Sequence, residues 1–168
     1  MVRMVHKWYK ILECFYEHPL SEFSVREFAE KTGLPSSTVQ RYLKGMKKKK
    51  ILNSDGMLWD SPSMRFRKAF FMMDKVVNSG LLEYLEVMYR PRAVVVFGGV
   101  RKGEYDKNSD VDIFVESDVG EKMNLSKFEK KIGHKIDLKI EKSINDLPVN
   151  LRNNVLNGVK LAGFLDVK

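Results

Sequence analysis

The segment 94-VVVFGGVRKGEYDKNSDVDIFVE-116 joins an apolar run to two adjacent glycines, a polar loop, and a second apolar run that carries two aspartates. Val94 to Phe97 is continuously apolar, the pattern of a strand buried on both faces. Beyond the loop, Val111, Ile113 and Val115 alternate with Asp110, Asp112 and Phe114, which reads as a one-sided strand. Asp110 and Asp112 stand two positions apart, so on a strand they leave one face with Cα atoms about 6.6 Å apart. Carboxylates that close repel each other, and a hard divalent cation with oxygen ligands near ~2.1 Å relieves the repulsion.

A metal needs more negative charge than two side chains from one strand. In 134-HKIDLKIE-141, Ile136, Leu138 and Ile140 alternate with Lys135, Asp137 and Lys139. The apolar set pins one face to the core, so Asp137 points the other way and becomes the third acid. Glu116 shares the face of Asp110 and Asp112, but four residues beyond Asp112 places it about 13 Å along the strand, which excludes it. Gly98 and Gly99 end the first strand, allow close approach to the backbone, and open a short helix at Val100 whose free N–H groups would face an anion. Glycines, a helix start and three acids together describe two-metal phosphoryl transfer. Standing alone, Asp-x-Asp would equally describe a solvated edge strand guarded against aggregation.

The pattern 98-GGVRKGEYDKNSDVDIFV-115 resembles the signature of the DNA polymerase beta superfamily of nucleotidyltransferases: two small residues, a loop, Asp-x-Asp on a strand, and a third carboxylate on a later strand. Lys102-Gly103-Glu104, Ser109 and 151-LRNNVLNGVKL-161 are similar to the minimal members of that superfamily. The resemblance covers about residues 80–165 and implies transfer of a nucleoside monophosphate from a nucleoside triphosphate to an acceptor hydroxyl. Carried over by position, it implies that Gly98 and Gly99 hold the triphosphate and that Asp110 and Asp112 bind two Mg²⁺ (or Mn²⁺) ions. It assigns Asp137 to the catalytic ion and to acceptor deprotonation, and Lys102 and Ser109 to the nucleotide. Gly99 stands where the superfamily commonly has Ser. Lys135 and Lys139, on the face of Asp137, either contact phosphate or neutralise the acids.

Upstream of this domain, residues 1–62 read as three helices and a hairpin. Met4, Trp8, Ile11, Leu12 and Phe15 have helical spacing up to Pro19. Ser24 and Glu27 form a capping box for a second helix that buries Val25, Phe28 and Ala29. After the turn at Thr32-Gly33-Leu34, a third helix from Pro35-Ser36 to about Lys48 buries Val39, Tyr42, Leu43 and Met46. Asp55-Gly56 then turns a hairpin within 51-ILNSDGMLWD-60. That order is a winged helix-turn-helix, and 33-GLPSSTVQRYLKGMKKKKIL-52 resembles the recognition segment of winged-helix transcription regulators. The resemblance places Ser37, Thr38, Gln40, Arg41 and Lys44 against DNA, with phosphates near Lys47 to Lys50. A solvated helix face used for protein docking is the competing reading.

Residues 63–90 read as a helical connector with Phe66, Phe70, Met73 and Val77 as a core or interface stripe, followed by Leu81, Leu82, Leu85, Val87 and Met88. The transferase domain is then 91–168, closing with a helix over 147–163 that ends at Gly158 or Gly163. The fold class is α+β: a winged helix-turn-helix followed by a polymerase-beta-like domain around a small mixed sheet.

The whole chain of 168 residues carries 30 Lys+Arg against 22 Asp+Glu, a net charge of +8 that suits a polyanionic partner. No run reaches the ~18 apolar residues of a membrane span, so a cytoplasmic protein without a membrane partner is expected. The one cysteine, Cys14, reads as a buried helix residue rather than a nucleophile, and His6, His18 and His134 as surface residues without zinc spacing. The expected partners are a nucleoside triphosphate, nucleic acid through the winged helix, a protein acceptor, and a second copy of the chain through the Phe66–Val77 stripe. Two other readings compete with the enzyme. One is a transcription regulator whose transferase domain senses nucleotide or is inert. The other, drawn from the resemblance, is an antitoxin that adds AMP to a partner toxin.

Overall fold

The computed structural model describes every residue except Met1, Leu20 and Lys122, and of residues 2–6 the backbone alone. The expectations placed on Met4 and His6 as side chains lie outside the described residues. The chain divides into two compact units, Met1–Met64 and Arg65–Lys168.

In the first unit, α1 (Val2–Glu17), α2 (Val25–Thr32) and α3 (Ser36–Lys48) bury Ile11, Cys14, Phe15, Phe28, Leu34, Val39 and Met46 against one another. The capping box forms: Ser24 accepts from the Glu27 amide, and Glu27 accepts from the Ser24 amide. Gly33 ends α2 in the left-handed conformation, which redirects the chain into α3. The hairpin is short, a single antiparallel bridge between Leu52 and Leu58 around Gly56. Cys14 lies in the core, where burial pushes its thiol up to about 11, so it is not a nucleophile at neutral pH.

In the second unit, α4 (Pro62–Asn78, whose first turn precedes Arg65) and α5 (Leu81–Tyr89) lead into a four-stranded sheet of order β3-β2-β1-β4. Its strands are β1 (Ala93–Phe97), β2 (Val111–Glu116), β3 (Ile136–Glu141) and β4 (Val159–Gly163). The short α6 (Gly98–Lys102) starts on the glycine pair itself, α7 (Ser126–Ile132) links β2 to β3, and α8 (Val149–Leu156) precedes β4. Pairing is antiparallel between β1 and β2 and between β1 and β4, and parallel between β2 and β3. As its unbroken apolar run requires, β1 is buried throughout.

Four expectations are corrected here. The closing helix stops at Leu156, because Asn157-Gly158 breaks it, and Val159–Gly163 becomes the edge strand β4. β2 is one-sided only at its start: Phe114 is fully buried and packs with Val95, Ile144 and Val155, and Glu116 is buried where it accepts from the Ile144 amide. α4 is rotated from the expected stripe, burying Ala69, Met72, Met73 and Val76 with Lys68, while Phe66 and Phe70 are 72% and 61% exposed and Val77 is exposed too. In α5 the buried set is Leu81, Leu85 and Tyr89, and Val87 is exposed.

Candidate active site

The sheet's register brings the acids together. Phe97, the last residue of β1, pairs with Asp112, and Asp112 pairs with Asp137 on β3. Residues in register on neighbouring strands share a face, so the glycine pair, Asp112 and Asp137 line up across one end of the sheet. Asp110 lies just ahead of β2 and is exposed, as is Asp137, whereas Asp112 is half-buried.

Gly98 explains how that line closes up. It has φ +72°, and a Cβ built on it would overlap Oδ2 of Asp112. The carboxylate therefore lies against the bare Cα, where no other residue leaves room. Gly99 is looser, since a Cβ there would stand 3.1 Å from the Glu104 carbonyl oxygen. The first turn of α6 has no side-chain cap.

The Asp112 carboxyl is held above the ordinary carboxylate range, first by burial, then by the charge of Asp137 and that of Asp110. The electrostatics thus report the three acids as one mutually repelling set. Such oxygen donors suit a hard divalent cation, whose charge would replace the repulsion with attraction. Among the described residues, no group of three or more His, Cys, Asp or Glu is already drawn in tightly enough to hold an ion.

The loop between α6 and β2 carries the remaining candidates. Lys102 is exposed. Ser109 is half-buried, and its hydroxyl bonds within the loop, donating to the Asp106 carboxylate at 3.1 Å and accepting from the Asp106 amide at 3.0 Å. Beside Asp110, on the β3 side, a cleft of about 650 Å³ is lined by Lys107, Lys130 and Lys135 among others. Lys135 lies 3.8 Å from Glu129, with the lysine exposed and the glutamate half-buried.

His134 overturns the expectation of a surface residue. It is 4% exposed, its Nδ1 lies 2.8 Å from the Ser109 carbonyl oxygen, and its ring meets Tyr105 edge-on at 5.8 Å. A signal for this was present, because residue 134 has the same phase as Ile136, Leu138 and Ile140, the inward set. Lys68 was also missed. It is buried on α4, donates to the Tyr105 carbonyl and lies over the Tyr105 ring, and the Tyr105 hydroxyl returns a bond to the Lys68 carbonyl at 3.1 Å. A lysine amid apolar residues carries no such signal in a sequence.

In the first unit, Ser37, Gln40, Arg41 and Lys44 are exposed on α3, and Thr38 is half-buried. Their spacing sets Ser37, Arg41 and Lys44 along one side of the helix, away from Val39 and Met46.

Comparison with known proteins agrees with this division. Residues 79–161 match a family model described as a nucleotidyltransferase domain, and residues 5–56 match one described as an IclR helix-turn-helix domain. Over 69 residues the chain is 33% identical to a Methanocaldococcus jannaschii protein provisionally named a protein adenylyltransferase. That match covers 37% of this chain and 69% of the relative. No solved structure matches the chain.

Proposed function

The chain belongs to the nucleotidyltransferase family and carries an IclR-type helix-turn-helix domain ahead of the transferase domain, and from that premise we propose that it moves a nucleoside monophosphate from a nucleoside triphosphate to an acceptor hydroxyl with the help of two Mg²⁺ or Mn²⁺ ions. The observation that carries the reading is the pairing of Asp112 with Asp137 beside Gly98, together with the raised proton affinity that burial, and then Asp137 and Asp110, impose on Asp112.

In the transfer, the acceptor oxygen forms a bond to the α-phosphorus as the bond from that phosphorus to the bridging oxygen breaks, and pyrophosphate leaves with the electron pair. Asp137, exposed at the start of the edge strand, takes the acceptor's proton. Asp110 and Asp112, with Asp137 on the catalytic ion, would hold the ions, which would lower the acceptor hydroxyl's proton affinity and neutralise the leaving pyrophosphate. Gly98 and Gly99 admit the triphosphate against the backbone, with Lys102 as a phosphate contact and Ser109 shaping the loop beside it. The archaeal relative's name favours ATP as donor and a protein hydroxyl as acceptor.

The test is transfer from α-labelled ATP, CTP, GTP or UTP into a cell lysate, with Asp110→Asn in parallel. A labelled product that vanishes in the variant is expected. Absence of any product, or bands that persist with Asp110→Asn, overturns the reading.

The helix-turn-helix domain is proposed to bring the transferase to duplex DNA in the cytoplasm. Arg41→Ala and Lys44→Ala are each expected to weaken duplex binding and to flatten the salt dependence of log K by about one unit of slope. Titrations at several salt concentrations check this, and unchanged slopes would assign α3 to protein docking.

A further inference from the structure

Asp110 precedes β2, so ladder pairing alone does not fix it, and its charge acts on Asp112. Something has to hold its backbone. The residue before it is held by its carbonyl oxygen, 2.8 Å from Nδ1 of His134. The residue after it is held by its amide, since Val111 donates to the Lys135 carbonyl at 2.8 Å. Both partners come from the short lead-in to β3, directly ahead of Asp137.

The brace therefore ties both neighbours of Asp110 to the segment that leads into the strand of Asp137. A carbonyl only accepts, so Nδ1 of His134 carries a hydrogen and donates it. With the Ser109 carbonyl fixed, the peptide plane between Ser109 and Asp110 is fixed, and with it the direction from which the Asp110 side chain departs. The ring itself is seated. Tyr105 packs edge-on to it, and Tyr105 is tied at its carbonyl and its hydroxyl to Lys68 of α4. The same stretch of α4 meets the loop again at Gly103, where a Cβ would overlap the Arg65 carbonyl.

Resting on the transferase reading above, we infer that His134 is a positioning residue of this site: by donating from Nδ1 to the Ser109 carbonyl, on a seat made by Tyr105 and Lys68, it sets the stance of Asp110 relative to Asp137. It touches neither nucleotide nor acceptor. Groups that orient ion-binding carboxylates in this way commonly govern metal affinity and turnover by about 10- to 100-fold.

Two variants of similar polarity separate this role from mere filling of the interior. His134→Asn places an amide nitrogen where Nδ1 stands and can still reach the Ser109 carbonyl. His134→Gln carries its amide farther out, toward the ε position, and cannot. The readouts are Mn²⁺ affinity by calorimetry, kcat and KM for transfer, and the thermal midpoint of the full-length chain. The expected result is that His134→Asn stays within about 3-fold of the wild type, whereas His134→Gln loses about 10-fold or more in Mn²⁺ affinity and in kcat. KM for the nucleotide and the thermal midpoint should be alike in the two. Equal Mn²⁺ affinities for Asn and Gln, or losses that follow the thermal midpoints, overturn the inference while leaving the transferase reading intact. If the wild type itself binds no Mn²⁺ and transfers no label, both fall together.

Discussion

Replacing Gly98 by alanine is expected to lower transfer by about 100-fold or more, the scale on which a misplacement of about 1 Å acts at a reacting centre. Two costs coincide at this residue. Its φ of +72° disfavours any side chain, by about 1–2 kcal/mol. The added methyl would also occupy the space of Oδ2 of Asp112, so the carboxylate of the residue in register with Asp137 must swing away. Gly99→Ala is the control. There the methyl stands 3.1 Å from the Glu104 carbonyl oxygen, a crowding that a few tenths of an ångström relieve. The two variants should therefore differ sharply in kcat/KM and in Mn²⁺ affinity, while duplex binding by the helix-turn-helix domain is the same in both. Equal activities would show that the approach of Asp112 to Gly98 is not needed for turnover.

Asp112→Asn is expected to have an opposite signature on stability. Loss of a ligand that stabilises charge in the transition state costs several kcal/mol, or about a 1000-fold fall in transfer. The fold should gain. The carboxyl of Asp112 is raised by burial and by the charges of Asp137 and Asp110, so its proton is bound more tightly in the folded chain than in the unfolded one. The contribution of such a group to stability is fully present below its unfolded proton affinity and is lost as pH rises through the higher folded value. Once ionised, Asp112 is therefore a burden on the folded state. Asn removes the burden, so in the absence of divalent ions the thermal midpoint at pH 7 should rise above that of the wild type, with the gap closing in acid. Addition of Mn²⁺ should raise the wild-type midpoint and leave the variant's nearly unchanged. A lower midpoint for the variant throughout would mean that Asp112 is a structural ligand of the fold.

Much of this site was legible because β-structure has a period of two. The alternation in 134-HKIDLKIE-141 placed Asp137 on the outward face, and the continuous run of Val94 to Phe97 marked the buried central strand. The same rule, followed one residue further back, would have placed His134 inside; reading histidine by its usual exposure hid that. Phe114 was taken with the polar face because it follows the phase of the aspartates, yet that face is open only near Asp112 and is then covered by Val155 of α8 and by Ile144. Burial by another element is not written in a strand's own period. Nor was β4: Val159 to Gly163 follows a helix with only Asn157-Gly158 between, and its pairing to β1 is a contact with residues far away in sequence. The phase of α4 was misjudged because large side chains at Phe66, Phe70 and Val77 outweighed the smaller Ala69 and the charged Lys68, which the packed interior selected.

The parallel register of β2 and β3 also determines where the gene can change length. Added residues ahead of α7 lengthen a connection and leave the Asp112–Asp137 pairing as it is. One residue inserted between Lys135 and Asp137 would turn the acid toward the core and an isoleucine toward solvent, because a slip of one exchanges the faces of a strand. One deleted there would do the same. Drift in length should therefore accumulate before α7 and stop at Gly133, four residues from the acid on which proton removal rests.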